Sequence, residues 1–372
     1  MEEHDRQQLF FMREAISFSL KGRYLSPPNP WVGALIVKDN RIISAGWHEG
    51  PGTLHAEEVA IRGAAKDTDF SSCLLYVTLE PCSHFGKRPP CVDLLIRQCF
   101  KKVIVGIKDP DVRVAGQGIE KLLKAGIETI VGIGRQEVER SLSDYLYQRS
   151  CARPRVVLKT ALSIDGCFSA KDGSSQWITD EESRLDAAME RAASQAIIVG
   201  SKTVIRDNPL LTVRHPNIQS FNPPLRVVLD SSGRVSGDEK IFCTQEAPTL
   251  YVTTDRCPKK LILRLNAKDV ETITLQGKFG FIDLVRLIEI LQRKNCLRIL
   301  VEGGAAVHGA FLREKLADFF IVYYGPCILG EGHRGFSMPS LGIHNIAEKY
   351  VLTLDDVHKV GRGFRADYSC PR

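Results

Sequence analysis

Two α/β units in tandem are what this sequence predicts, and three observations carry the expectation. In each half, short apolar runs of strand composition alternate with amphipathic helical stretches, the pattern of a sheet covered by helices. Residues 149–154 form a polar break closing on Pro154, read as the linker between a first domain, 1–148, and a second, 155–372. Each half also carries its own chemistry-bearing motif: a His-x-Glu with a Pro-Cys and a later Cys in the first, and a Glu-Gly-Gly turn in the second.

Composition sets the class. With 372 residues, 44% hydrophobic and 25% charged, the chain has the make-up of globular domains of ordinary size. Fifty basic against 44 acidic residues leave a formal charge of +6, too dilute to argue for nucleic acid and suited to a small anionic substrate. The 11 cysteines are scattered without framework spacing, which is the usage of a reducing compartment, so the expected location is the cytoplasm. The first eight residues include two Glu, an Asp and an Arg, which argues against a signal peptide. No apolar run reaches the ~18 residues of a membrane span.

Taken in order, Leu9, Met12, Ile16 and Leu20 recur at helical spacing, with Gly22 placed to end that helix in a left-handed conformation. Pro27-Pro28-Asn29-Pro30 must be irregular, because proline removes donors and restrains its predecessor. Residues 31–37 and 41–47 read as a hairpin across 38–40. Leu74–Leu79 reads as a buried strand, and residues 93–98 continue as a helix after the loop that follows. Strands 102–107 and 128–133 flank a helix over 119–125, an order that argues parallel pairing, and a helix over 136–147 closes the unit.

In the second half, strands are expected at 155–160, 196–200, 225–230, 249–253, 297–302, 318–323 and 350–354. Thr179-Asp180-Glu181-Glu182 reads as a capping box before a helix to Ala193, and residues 281–291 as a further helix. Gly361–Ala366 fits the G-x-G-x-x-A dinucleotide pattern, but only six residues follow it. With no room for the required helix, it is read as a turn.

Chemistry concentrates at Thr78–Cys91. Cys82 sits where a strand's carboxyl end meets the next element, Cys91 follows nine residues later, and upstream His55-Ala56-Glu57 opens a helix after Gly50-Pro51-Gly52-Thr53. One nitrogen and two thiolates, with a His-x-Glu, match the zinc deaminase signature. Three protein ligands leave a fourth position for water, whose pKa zinc lowers to roughly 7. Glu57 is close enough in sequence to move protons without being a ligand. Two buried thiols with no site, or a structural zinc taking His84 as a fourth ligand, are the alternative readings. In the second half, Glu302-Gly303-Gly304-Ala305 ends a strand and opens a helix, so its glycines let backbone amides approach a pyrophosphate.

These motifs stand within longer ones: PNPWVG (Pro28–Gly33), HAE (His55–Glu57), EPCSHFGKRPPC (Glu80–Cys91), VAGQG (Val114–Gly118), LKTALSIDG (Leu158–Gly166), SSQWIT (Ser174–Thr179) and VEGG (Val301–Gly304). On them, the chain from about residue 8 onward resembles the bifunctional deaminase/reductases of riboflavin biosynthesis. The resemblance implies a cytidine-deaminase-like α/β/α first domain and a dihydrofolate-reductase-like α/β second domain. It implies one Zn2+ per chain and NADPH as cofactors, and a pyrimidine ribosyl phosphate as substrate, with no nucleic acid or membrane partner and a homo-oligomeric state. The first domain would remove the 2-amino group of 2,5-diamino-6-(5-phosphoribosylamino)pyrimidin-4-one; the second would reduce the ribosyl chain to ribityl.

Residue by residue, the resemblance places His55, Cys82 and Cys91 on the zinc positions and Glu57 on the proton donor. Asn29, His48, His84, Lys87 and Asp109 fall on the deaminase substrate positions. The reductase substrate positions match Lys159, Ser175, Arg191, Leu211, Arg214 and Glu302. Those for NADPH match Ala161, Trp177, Thr179, Thr203, Asp207, Ser231 and the turn Gly303, Gly304, Ala305, Ala306, Val307, His308 and Gly309. Two arginines suit a sugar phosphate, since guanidinium binds phosphate bidentately.

Four positions depart from the family pattern. Asp111 stands in place of an Asn after Asp109-Pro110, Cys167 where Lys or Arg is common, Asn208 for an Asp, and Val59 for a frequent His. If the Asp111 loop approaches the ribose phosphate, its carboxylate repels the dianion unless Lys87 or Arg113 offsets it. A nucleic-acid deaminase is the competing reading of the first half, although such enzymes usually space their cysteines Cys-x-x-Cys and eight residues intervene here. For the second half the competitor is a non-catalytic module, against which Lys159, Asp207, Arg214 and Glu302 are all present.

Overall fold

The apolar run Leu74–Leu79 becomes the middle strand of a five-stranded sheet in the computed structural model, which describes residues 3–85, 88–334 and 341–371. Two units separate by their internal contacts, residues 1–152 and 153–372. In the first, the elements are α1 (Glu3–Ser19), β1 (Gly33–Lys38), β2 (Arg41–Trp47), α2 (Ala56–Gly63), β3 (Leu74–Leu79), α3 (Cys91–Arg97), β4 (Lys102–Ile107), α4 (Gln117–Lys124), β5 (Glu128–Val131), α5 (Arg135–Ser141) and α6 (Ser143–Cys151).

Strand order is β2-β1-β3-β4-β5, with β1 antiparallel to both neighbours and β3, β4 and β5 parallel. Alternation along the strands fills both faces. Ala34, Ile36, Leu75, Val77, Val103 and Val105 pack with Ala56, Ala60, Val92, Leu95 and Leu122 of α2, α3 and α4. On the opposite face, Tyr76 meets Phe11 of α1 with ring centroids 5.3 Å apart. The result is an α/β/α sandwich with the carboxyl ends of β3 and β4 free to hold a site.

Several local expectations are corrected. Gly22 is not left-handed: it closes a tight turn, Leu20–Gly22, and a Cβ there would lie 2.2 Å from the His48 carbonyl oxygen. Close approach of two backbones, not a cap, requires the glycine. The hairpin turn is the pair Asp39 and Asn40, both left-handed at φ 47° and 58°, as two-residue hairpin turns favour. The single helix expected over 136–147 breaks at Leu142 into α5 and α6, and α6 runs on through residues 149–151 to Cys151, so the polar composition there marks a solvated helix end.

The second unit comprises β6 (Arg155–Ser163), β7 (Cys167–Ser169), α7 (Glu181–Ala192), β8 (Ala196–Gly200), α8 (Ser201–Asp207), β9 (Leu225–Leu229), β10 (Thr249–Thr253), α9 (Lys259–Asn266), β11 (Glu271–Thr274), α10 (Leu284–Arg293), β12 (Arg298–Val301), α11 (Ala305–Arg313), β13 (Phe319–Gly325), β14 (His333–Arg334), β15 (Thr353–Val360) and β16 (Gly363–Ser369). Nine strands form one sheet in the order β11-β10-β9-β8-β12-β6-β13-β16-β15. Pairing is parallel from β11 to β13 and antiparallel across β16 and β15. Alternate residues feed two cores: Val156 and Leu158 join one, Val157 the other.

Asp180, not Thr179, caps α7, its carboxylate accepting from the Ser183 amide at 3.1 Å. The helix expected from residue 281 starts at Leu284 behind an Asp283 cap. The strand expected at 350–354 lies at Thr353–Val360, and Gly361, at φ 58°, turns it into β16. The G-x-G-x-x-A match is thus a hairpin turn.

Candidate active sites

The first site is built from one strand end and two helix starts. β3 stops at Leu79 and the chain passes through Glu80-Pro81-Cys82; His55 is the residue that precedes α2, and Cys91 is the first residue of α3. His55 Nδ1 lies 3.2 Å from Cys91 Sγ and 3.5 Å from Cys82 Sγ, and the three donor atoms fall within 4.8 Å of one another. Such edges are what bonds of about 2.0–2.3 Å to one tetrahedral zinc generate, so the donor set fits that ion. No other His, Cys, Asp or Glu cluster among the described residues converges in this way. His84 is not part of it, so three side chains would hold the ion and leave a fourth position open, as a catalytic rather than a structural zinc requires.

Electrostatics at this site are uneven. Cys82 is drawn down to about 4, first by hydrogen bonding with Cys91 and then with His55, and the Cys91 amide at the start of α3 donates to its sulfur at 3.2 Å. Hydrogen bonding with Cys82 and burial push Cys91 up, so the pair carries its first negative charge on Cys82. Glu57, in the first turn of α2, is buried; that burial pushes its carboxyl up to about 7, against the pull of His55.

Around these residues, Asn29 and His48 come together, while the Asp109 carboxylate is taken up by donors of the protein itself. His48 is buried, with Nδ1 3.0 Å from the Leu54 carbonyl and Nε2 3.0 Å from Asn29 Nδ2. The carbonyl can only accept, so Nδ1 carries the proton, Nε2 accepts from the Asn29 amide, and Asn29 is left with its oxygen to offer. The His48 ring stands edge-on to His55, centroids 5.4 Å apart. Asp109 is buried, and its carboxylate accepts from Tyr145 at 3.1 Å and from the Asp111 amide at 2.9 Å. Lys87 lies outside the described residues.

At Asp111 the condition attached to the expectation is met by Arg113. Its carboxylate is 8% exposed and is gripped by Arg113 at 2.7 and 2.9 Å, with Arg149 at 3.3 Å. The hydrogen bond from Arg113 is the main reason its carboxyl is held well below the usual range. The charge is already compensated within the turn, so it does not confront a phosphate alone.

In the second unit, Lys159 on β6, Arg191 on α7 and Glu302 after β12 meet. Arg191 binds Glu302 through Nε at 2.5 Å and Nη2 at 2.8 Å, and its Nη1 reaches the Thr212 carbonyl at 3.3 Å, while Lys159 Nζ lies 3.6 Å from Glu302. Burial opposes ionisation of Glu302, but Arg191 and then Lys159 outweigh it and hold its carboxyl down at about 2. Leu211 is buried in a left-handed conformation at φ 52°; Arg214 on the same loop is exposed and in no ion pair among the described residues.

The Gly303–Gly304 turn fits a phosphate. A Cβ on Gly303 would strike Val307, whereas one on Gly304 would meet only Thr203 Oγ1 at 3.8 Å, so the first glycine serves packing and the second keeps the backbone approachable. No side chain caps α11 at Gly304, leaving its first amides to a ligand. Ala305 and Val307 are partly exposed and Ala306 exposed, whereas His308 and Gly309 are buried, and His308 donates inward to the Val301 carbonyl at 3.1 Å. Trp177 and Thr179 line a cleft of about 430 Å³ together with Arg184 and Arg362. Asp207 is paired with Arg206 at 3.1 Å. Ala161, Ser175 and Ser231 are partly exposed.

Comparison with known proteins agrees with this geometry. Residues 5–107 match the cytidine and deoxycytidylate deaminase zinc-binding region, and residues 154–365 match the RibD C-terminal domain. The riboflavin biosynthesis protein RibD of Chlamydia pneumoniae is 48% identical over 335 residues, 90% of this chain and 88% of that one. The chain belongs to the RibD family. RibD of Escherichia coli is 34% identical over 95% of this chain and 97% of its own. Among solved structures, Acinetobacter baumannii RibD superposes with a TM-score of 0.86 at 33% identity, covering 99% of this chain and 100% of that one. The Thermotoga maritima diaminohydroxyphosphoribosylaminopyrimidine deaminase/5-amino-6-(5-phosphoribosylamino)uracil reductase gives 0.86 at 32%, with the same coverage.

As a member of the RibD family, the chain is a bifunctional enzyme of riboflavin biosynthesis, a zinc-dependent deaminase and an NADPH-dependent reductase acting on a small molecule. Its halves have the cytidine-deaminase-like and dihydrofolate-reductase-like α/β folds expected from the motifs. Among the described residues, no helix is long and apolar enough to cross a membrane. Sequence reasoning passed over Glu80, buried beside Cys82. It also passed over the network in which Arg365 binds Asp186, Glu190 and Asp367. Nothing local marks the role of either, because the amides that Glu80 binds, and Asp186 and Glu190 beside Arg365, lie far away in sequence.

Proposed function

We propose that the first unit deaminates 2,5-diamino-6-(5-phosphoribosylamino)pyrimidin-4-one and that the second reduces the ribosyl chain of the product to ribityl with NADPH. The observation that carries the reading is the convergence of His55, Cys82 and Cys91 within 4.8 Å, with Glu57 buried beside them. Zinc held by those three residues supplies Lewis-acid activation of water at neutral pH. Glu57 holds or releases a proton near pH 7, which suits it to pass one from water to the ring nitrogen and then to departing ammonia. Asn29, oriented by His48, offers its side-chain oxygen to a donor on the pyrimidine. His84 and Lys87 on the Cys82–Cys91 loop, with Asp109, complete the assigned substrate set.

In the second unit, the Gly303–Gly309 turn, Thr203, Asp207, Ser231, Ala161, Trp177 and Thr179 hold NADPH. Lys159, Ser175, Leu211 and Arg214 meet the reductase substrate. Arg191 and Glu302 act there as a pair, Glu302 neutralising two cations that would otherwise repel each other. NADPH supplies hydride when bound, and these residues set the ribose against it.

The domain boundary follows the units, with deamination assigned to 1–148 and reduction to 155–372. The free state of all 11 cysteines supports a cytoplasmic setting. Support for a homo-oligomer comes from β15, an edge strand exposed along all but its last residue, whose open ladder a second copy can cover. The reading is tested by supplying the full-length enzyme with the diaminopyrimidine phosphate, with and without NADPH, and reading products by mass. Replacement of one amino group by oxygen without NADPH, followed by a two-hydrogen gain with it, is the expected result. Deamination of cytidine or RNA in preference to this substrate would overturn it.

A further inference from the structure

Helix α4 begins without its own cap. Its N-cap is Gly116, left-handed at φ 94°, and no local side chain accepts from the first turn. The four leading amides of a helix need acceptors, and leaving one unmet in a buried setting is destabilising. Glu80, from the end of β3, meets this need. Its Oε1 accepts from the amides of Gly118 at 2.9 Å and Ile119 at 3.2 Å, and its Oε2 from those of Gly116 at 2.9 Å and Asp109 at 3.2 Å. Glu80 is buried, 3% exposed, and among the described residues no cation pairs with it. Four amides and the positive end of α4 offset its charge.

The same helix grips the residues on either side of Cys82. Gly118 lies so close to Pro81 that a Cβ would sit 2.3 Å from the Pro81 carbonyl oxygen, and Lys121 Nζ donates to the Ser83 carbonyl at 3.0 Å. Residues 80, 81 and 83 are therefore all docked on the first turns of α4, with Cys82 between them.

We infer that Glu80 is a positioning residue for the deaminase reaction: as a cap supplied from a distant strand, it locks the start of α4 against Pro81-Cys82-Ser83 and so fixes the Cys82 sulfur relative to His55 and Cys91. This rests on the reading of those three residues as zinc ligands. Glutamine at position 80 keeps the shape but turns an amino group toward two backbone donors, so the clamp loosens on one side.

The test is Glu80→Gln in the full-length enzyme, with three readouts. Amide exchange at 116–119, which does not depend on metal, should speed by an order of magnitude. Zinc release to a chelator should quicken, and deamination kcat/KM fall, by roughly 10-fold, the scale on which residues supporting metal ligands act. Reduction of the deaminated substrate by the same polypeptide should stay within twofold, which separates a positioning effect from general loss of fold. Lys121→Met, which removes only the Ser83 tie, should shift zinc release the same way by about threefold and covers the case in which Glu80→Gln leaves the first unit unfolded. Wild-type zinc content, measured first, tests the ligand assignment on its own. Faster amide exchange with zinc release and deamination unchanged would overturn the positioning role, as would no change in any readout.

Discussion

The two units reach buried, charged sites by different routes. In the first, the groups assigned to the chemistry sit at element starts: His55 precedes α2, Glu57 lies in its first turn, and Cys91 opens α3. In the second, Lys159, Arg191 and Glu302 come from β6, α7 and the end of β12, and are held by one another's charge. A site made at helix starts is set by local backbone and is written as short motifs. A site made of ion pairs across a sheet depends on every partner, and removing one leaves the others buried and unpaired.

That contrast can be broken first at the metal. Cys82→Ala with Cys91→Ala is expected to abolish deamination and to remove the one zinc per chain expected of the parent, while reduction continues. Elemental analysis beside the two separate assays checks this, and stoichiometric zinc in the variant would break the assignment.

Glu302→Gln comes next in size. Removing one member of a buried pair costs about 3–5 kcal/mol, so the second unit should melt markedly earlier and lose reduction, with deamination retained below that transition. The pH profile sharpens the point. Glu302 ionises at about 2 in the folded protein, below the ~4.3 of an unfolded chain. Its contribution is therefore complete above about pH 5 and is lost as pH falls from there toward 2. Acid titration of unfolding should be shallower in Glu302→Gln across that window.

Asp111→Asn is the smallest expected effect. Because Arg113 and Arg149 already surround the carboxylate, the amide should cost about 1–3 kcal/mol in stability of the first unit. It should leave KM for deamination unchanged at low and high salt. A KM that tightens at low salt would restore the repulsion argument.

Much of the first site was legible because its residues lie in local runs whose spacing fixes their geometry once β3, α2 and α3 form. Glu80 was visible as a letter of its motif yet carried no role, since its acceptor function depends on amides at 109–119 brought close only by the β3–β4 pairing. Gly22 was misread for a related reason: the contact that demands glycine is with His48, in a different segment. In the second unit, the expected parallel strands emerged from apolar runs, but β16 did not. Its polar residues Arg365 and Asp367 pair with each other inside the fold, which hides the strand pattern from composition. Arg191 looked free for a phosphate, and its guanidinium is taken by Glu302 and Thr212.

The central claim is that one chain carries two separable chemistries, the first driven by proton transfer through Glu57 beside the metal. Assaying Glu57→Gln in the full-length enzyme tests it most directly, with the diaminopyrimidine phosphate and its deaminated counterpart given in turn, products read by mass and zinc measured in the same sample. The account predicts zinc retained, deamination lowered by on the order of 10² or more, and reduction of the deaminated substrate at the parent rate. Equal loss of both reactions, or deamination undiminished, would contradict it.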